Sequence, residues 1–257
     1  MRLNVLEGGE GPPVALLHGL FGQARNFGAL SRALSARHRV LAMDARNHGD
    51  SPHDAGMDFD TMAADAAETL RGLGARPAAL VGHSMGGKIA MRLALTDPGA
   101  VSRLLVADIA PVPNPPTIFR DYIDAMRGVP LRPGLSRREA DAALAAAVPD
   151  PMLRGFLLQS LRLDAEPPRW RIGLEEIAAA LPDIENWAPL PAGTRYDGPV
   201  LVVRGGRSDY IRPEHEAAFR ALFPQARFAV LEKAGHWVHV EDPAGFQALV
   251  QDFLDEG

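Results

Sequence analysis

Through its first 110 residues the chain alternates short apolar runs with segments of helical spacing, and few folds accommodate that rhythm. Residues 13–17, 40–43, 78–81 and 104–107 are apolar at consecutive positions, as strands covered on both faces must be, and residues 3–6 predict a further edge strand. Between them Phe27, Leu30 and Leu34, then Phe59, Met62, Ala66, Leu70 and Leu73, recur at the period of an amphipathic helix. Strand and helix in turn make β-α-β units, which predict an α/β fold with a mostly parallel central sheet flanked by helices. The rhythm stops at Pro111 and returns at Gly198. A strand follows at 199–203, a helix at 213–223 and a strand at 227–231, then a last helix from about Pro243 with Asp242 as its N-cap.

The stretch between is proline-punctuated and alanine-rich, with helical pieces such as 137–148 and 174–181 and no convincing strand. Of the 22 prolines, 13 fall between Pro111 and Pro191, so the excess length of this 257-residue chain over an ordinary domain is concentrated there. The expectation is an α/β core of residues 1–110 and 198–257 carrying an inserted helical cap at 111–197.

Composition narrows the chemistry. No run of 18 apolar residues is present, so no membrane span is expected. A net charge of -5 without a polybasic segment gives nucleic acid no electrostatic purchase. The opening ten residues hold no apolar stretch of signal-peptide length, which predicts a cytoplasmic protein. The absence of cysteine removes thiolate metal sites, iron–sulfur clusters and a cysteine nucleophile, leaving covalent catalysis to oxygen or nitrogen. Neither a phosphate-binding loop nor a dinucleotide fingerprint occurs, so no cofactor is expected.

The sharpest motif is Gly82-His83-Ser84-Met85-Gly86, between the strand at 78–81 and a helix running to about Leu95. A G-x-S-x-G turn in that context is a nucleophile elbow: a tight turn that only small flanking residues allow, presenting the serine hydroxyl beside a helix N-terminus. Such a turn can also do no more than join strand to helix. A serine nucleophile needs a base and an orienting acid, and His236, after the last strand, is the candidate base, with His239 a possible substitute nearer the final helix. The acid is open between Asp108, closing the strand at 104–107, and Asp209, in the turn after the strand at 199–203. Aspartate at either place can equally cap a turn. The oxyanion of an acyl intermediate needs two backbone N–H donors, expected from Met85 and from Leu20, or less favourably Phe21, in His18-Gly19-Leu20-Phe21-Gly22.

Together, His18-Gly19, the elbow at Ser84 and Gly235-His236 make the chain resemble the α/β-hydrolase superfamily. The stretches from Asp44 to His53, Gly82 to Lys88 and Asp108-Ile109-Ala110-Pro111-Val112 are similar to those of the YbfF-type bacterial esterases and their mitochondrial relatives among the abhydrolase-domain proteins. The resemblance covers the core well and the insertion loosely. It implies Asp108 as the acid, whereas the wider superfamily implies Asp209, and it matches Ser208 to a serine that helps orient the histidine. Asp44, His48, Asp50 and His53 fit no zinc signature and read as a structural loop, so no metal is expected. His83 is expected to turn from the cleft into packing, and Lys88 to be a surface or ion-pair residue.

Phe21, Tyr122, Trp170 and Trp237 are the expected substrate contacts, although Phe119, Met126, Met152, Phe156, Leu157 and Trp187 share the apolar character a small cap needs for its own core. Arg120, Arg127, Arg154, Arg162, Arg169 and Arg171 could meet an anionic head such as acyl-CoA phosphates, or be solvated helix faces. The leading expectation is a serine hydrolase, a monomer or homodimer, cleaving small-molecule acyl esters or thioesters. A C–C hydrolase or lyase using the same residues as a base, and a non-catalytic binding module, are the alternatives.

Overall fold

In the computed structural model, which describes residues 1–115 and 118–256, the alternation becomes a seven-stranded sheet. Its strands are β1 (Val5–Gly8), β2 (Pro13–Leu17), β3 (Arg39–Met43), β4 (Ala78–His83), β5 (Val101–Ala107), β8 (Val200–Gly205) and β9 (Ala226–Leu231). They lie in the order β1-β3-β2-β4-β5-β8-β9, all parallel except β1, which pairs antiparallel with β3. The edge strand falls two residues later than the expected 3–6, because Val5 to Gly8 are the residues registered against Val40 to Met43.

The continuous apolar runs are explained by burial on both faces. Ala15, Leu17, Leu41, Met43, Leu80, Leu104, Val106 and Val202 join one core cluster, together with α2 (Phe59–Gly72) and α3 (Met85–Thr96). The alternating set Val14, Leu16, Val40, Ala42, Val81, Leu105 and Val203 joins a second, under α1 (Gly28–Leu34) and α10 (Pro243–Asp255). Asp242, which follows α9 (Val238–Glu241), caps α10 as expected, accepting from Gly245 N–H at 3.0 Å. The expected helix at 213–223 is a short 3₁₀ turn followed by α8 (Glu216–Leu222).

Between β5 and β8 the chain forms α4 (Phe119–Arg127), α5 (Arg137–Leu144), α6 (Pro151–Leu157) and α7 (Leu174–Glu185). One expectation fails: the insertion does contain strands, since β6 (Leu161–Arg162) and β7 (Arg169–Trp170) pair antiparallel. Two residues a side carry too little alternation to leave a sequence signature. Ile123, Met126, Leu144, Leu157 and Ile177 of the insertion belong to the same cluster as α2 and α3, so the insertion packs on one side of the sheet. β2 lies between β3 and β4, so the crossover from β2 to β3 and the next from β3 to β4 run in opposite directions along the sheet, and the crevice beyond the carboxyl ends of β2 and β4 is where such sheets take ligands.

Candidate active site

Ser84 stands at that crevice, between β4 and α3, with φ 52° and ψ -122°. Its flanks must be glycine. A Cβ at Gly82 would lie 2.2 Å from Gly86 O, and one at Gly86 2.1 Å from Leu17 O, so β2, β4 and α3 could not close on the turn with any side chain there. Phe21, Asn47 and Asp108 share the left-handed backbone of Ser84, and three of these four residues border the crevice or Ser84's partner. Strain of this kind persists only where the surroundings over-determine it.

His236 Nε2 is 3.0 Å from Ser84 Oγ and its Nδ1 is 2.8 Å from Asp108 Oδ2. Of the two candidate acids, the structure brings Asp108 to the imidazole. Asp209 lines the cavity instead, four residues beyond β8. Asp108 is fully buried, yet its charge is not stranded, because it also accepts from Gly205 N–H at 2.9 Å and from the Ser208 hydroxyl. The loop carrying His236 is pinned from behind: Gly235 N–H and Trp237 N–H donate to Glu241 at 2.9 and 3.2 Å, and His83 Nε2 donates to His236 O at 2.9 Å. Tyr210 stacks on the imidazole, with ring centroids 3.8 Å apart and planes 19° from parallel.

The turn after β2 is built on two buried histidines. His18 Nε2 accepts from Ala45 N–H at 3.0 Å, and His48 Nε2 accepts from Phe21 N–H at 3.2 Å, so each imidazole is neutral with its proton on Nδ1, given to Gly19 O and Arg46 O respectively. Burial holds both below the ordinary histidine range, His48 down to about 3. Phe21 N–H is thereby occupied, while Leu20 N–H has no hydrogen-bond partner among the described residues. Met85 N–H belongs to the first turn of α3, where helix amides lack intrahelical partners.

A cavity of about 440 Å³ opens above Ser84. Phe21, Tyr122 and Trp237 line it as expected, with Phe119, Leu153 and Phe156 from the insertion. Trp170 does not: it lies on β7, where its indole N–H donates to Met126 O at 3.0 Å. His83 borders the cavity rather than turning from it, and burial pushes it well below its usual range. Lys88 is not on the surface, and no ion pair holds it among the described residues. It is 1% exposed, over the Phe59 ring, with Nζ donating to Asn186 O at 3.1 Å, and burial lowers it to about 8. Five of the six arginines singled out in the insertion have partners within the fold: Arg120 donates to Ala178 O, and Arg127, Arg154, Arg162 and Arg171 pair with Glu175, Asp141, Asp164 and Asp50. Asp44, the first of the unassigned loop residues, accepts from Asn4 Nδ2, Ala24 N–H and Asp50 N–H. Sequence reasoning missed Tyr210, Glu241 and the post beneath the Phe21 amide at His48. Only Tyr210 had a signal, an aromatic in a turn at the carboxyl end of a parallel strand.

A parallel sheet with a strained serine elbow at its switch point and an insertion roofing the crevice defines a hydrolase, and the chain belongs to the α/β-hydrolase-fold family, whose model matches residues 12–243. It is 40% identical to the sn-1-specific diacylglycerol lipase ABHD11 of Mus musculus, over 99% of this chain and 85% of that one. It is 34% identical to the esterase YbfF of Escherichia coli, over 95% and 93%. Among solved structures a marine microorganism esterase superposes with a TM-score of 0.94 at 30% identity, covering 98% of this chain and 99% of that one. The chain is thus a hydrolase of the esterase class. No helix among the described residues is long and apolar enough to cross a membrane.

Proposed function

We propose that the protein is a serine hydrolase that cleaves carboxylic esters, and acyl thioesters of similar shape, through Ser84, His236 and Asp108. The observation that carries this is the continuous Ser84–His236–Asp108 hydrogen-bond line, 3.0 and 2.8 Å, at the base of a cavity lined by aromatic and aliphatic side chains. Ser84 Oγ attacks the acyl carbon as its proton passes to His236 Nε2, and Asp108 orients the ring and stabilises the imidazolium. The oxyanion takes hydrogen bonds from Leu20 and Met85 N–H, which need no reorganisation because the turn after β2 and the helix start are already fixed. Collapse breaks the bond to the leaving oxygen or sulfur, which receives the His236 proton. Water then gives a proton to His236 as its oxygen attacks the acyl carbon, and the acyl–Oγ bond breaks as that proton returns to Ser84 Oγ, releasing the carboxylic acid. Phe119, Tyr122, Leu153 and Phe156 suit an apolar acyl group, and the relative named for diacylglycerol acts on an ester.

A fluorophosphonate probe is expected to label Ser84 stoichiometrically, and Ser84→Ala to abolish p-nitrophenyl acetate turnover. Full activity in the alanine variant would sink the assignment.

A further inference from the structure

The steps above give no task to Tyr210, although no ring lies closer to His236 among the described residues. It sits in the turn after β8 that also completes Asp108: Gly205 N–H and the Ser208 hydroxyl bind the carboxylate, and Tyr210 N–H bonds back to Ser208 Oγ at 3.3 Å. One short turn therefore braces the acid through hydrogen bonds and the base through a ring face. Two bonds along the line from Asp108 to Ser84 fix the direction between the imidazole nitrogens. They do not fix the tilt of the ring about that line, and a near-parallel ring at 3.8 Å does. The other rings near the imidazole among the described residues are farther and tilted: His83 at 4.8 Å and 44°, Trp237 at 6.0 Å and 58°.

We propose that Tyr210 is a positioning residue that holds the His236 imidazole in place during the interval when Ser84 cannot. The proposal rests on the reading of Ser84, His236 and Asp108 as the catalytic set. Once Ser84 is acylated and His236 has delivered its proton, Ser84 Oγ has no proton to donate and neutral Nε2 has none to return, so that hydrogen bond is gone. Asp108 alone would then hold the ring by one nitrogen, while deacylation needs Nε2 at the same point to take a proton from water. The stacked phenol spans that gap, and its face also favours the imidazolium formed in each half-reaction. Its contribution should therefore be larger in deacylation than in acylation.

The test compares Tyr210→Leu and Tyr210→Phe on p-nitrophenyl acetate and octanoate. An aromatic pair of this kind corresponds to up to about a tenfold change. The leucine variant is expected to lose about tenfold in kcat, by the same factor for both esters, with KM falling alongside so that kcat/KM, which reports acylation, falls less, and to show a pre-steady-state burst reduced less than its steady-state rate. The phenylalanine variant, which keeps the stacked face, should stay within twofold of the parent. An equal loss in both variants would assign the effect to the hydroxyl and overturn the proposal. A loss that grows with chain length would make Tyr210 only a substrate contact, and a folded leucine variant with parental kcat would remove it from the reaction; either outcome also overturns it. If Tyr210→Leu does not fold, Tyr210→Met makes the same comparison. His236→Gln in the same assay separates the two levels: activity surviving there defeats the catalytic set itself, whereas a neutral Tyr210→Leu beside an inactive His236→Gln defeats only the role of Tyr210.

Discussion

At the scale of single residues, Asp108 and Asp209 are the instructive pair. Both follow the carboxyl ends of neighbouring parallel strands, so strand pattern alone gives each an equal claim on His236. The discriminating property is the backbone of Asp108, whose φ of 52° goes with a carboxylate directed at Gly205, Ser208 and His236, and no hydrophobic period records a dihedral angle. Replacing Asp108 by Asn should keep the shape but put an amide against an imidazole that needs an acceptor. The expected loss in kcat is on the order of 10⁴. Asp209→Asn, at the cavity lining, should stay within a few-fold, and steady-state kinetics on one ester series compares the two. Ser84 and His236 could be singled out in the sequence because the proposed chemistry needs unusual residues at fixed places. Tyr210 and Glu241 act through a ring face and through flanking amides, and no residue pattern is obligatory for either.

Among the elements, α3 does more than aim Ser84. Lys88 and Arg92, one turn apart, donate to Asn186 O at 3.1 Å and Ala188 O at 2.8 Å, so the segment leaving α7 is fastened along the helix that starts beside Ser84. Arg92 is balanced by Asp60, whereas Lys88 pairs with no carboxylate among the described residues, and burial lowers it to about 8. Below that pH the folded chain carries the cost of the buried charge. Between about 8 and 10.5 the native state has released a proton that the unfolded chain still binds, so stability gains a rising contribution across that window, on the order of 3 kcal/mol at its limit. Lys88→Met should flatten that rise, as read from urea midpoints at pH 7.5 and 10 for the two proteins. An unchanged rise would mean that Lys88 stays charged throughout. The strands and core helices could be read from burial periodicity. The insertion could be placed but not drawn, because three of its helices run only seven to nine residues, α7 continues through Pro182, and its two strands are two residues each.

Across the whole molecule, four histidines, His18, His48, His83 and His239, are kept neutral by burial around the crevice, with His48 lowered to about 3 and His239 to about 4. From about pH 6.5 downward the unfolded chain takes up protons that these sites refuse, so the stability present above 6.5 falls by up to about 1.4 kcal/mol per pH unit for each histidine. Denaturant series from pH 7.5 to 4.5 should show that fall. His239→Phe, which suits the neighbouring rings of Phe27 and Phe246, should lessen the slope by one proton. A flat profile would contradict neutral burial. The pairing of β5 beside β8 has its own outcome: Leu104 lies opposite Val200 whatever residues 108–199 do, provided they start at the chemical end of the sheet and finish at the other. Much of the cavity lining is therefore carried by a segment outside the sheet. A lineage could exchange it for another and change its diet while the proton-handling parts stay untouched.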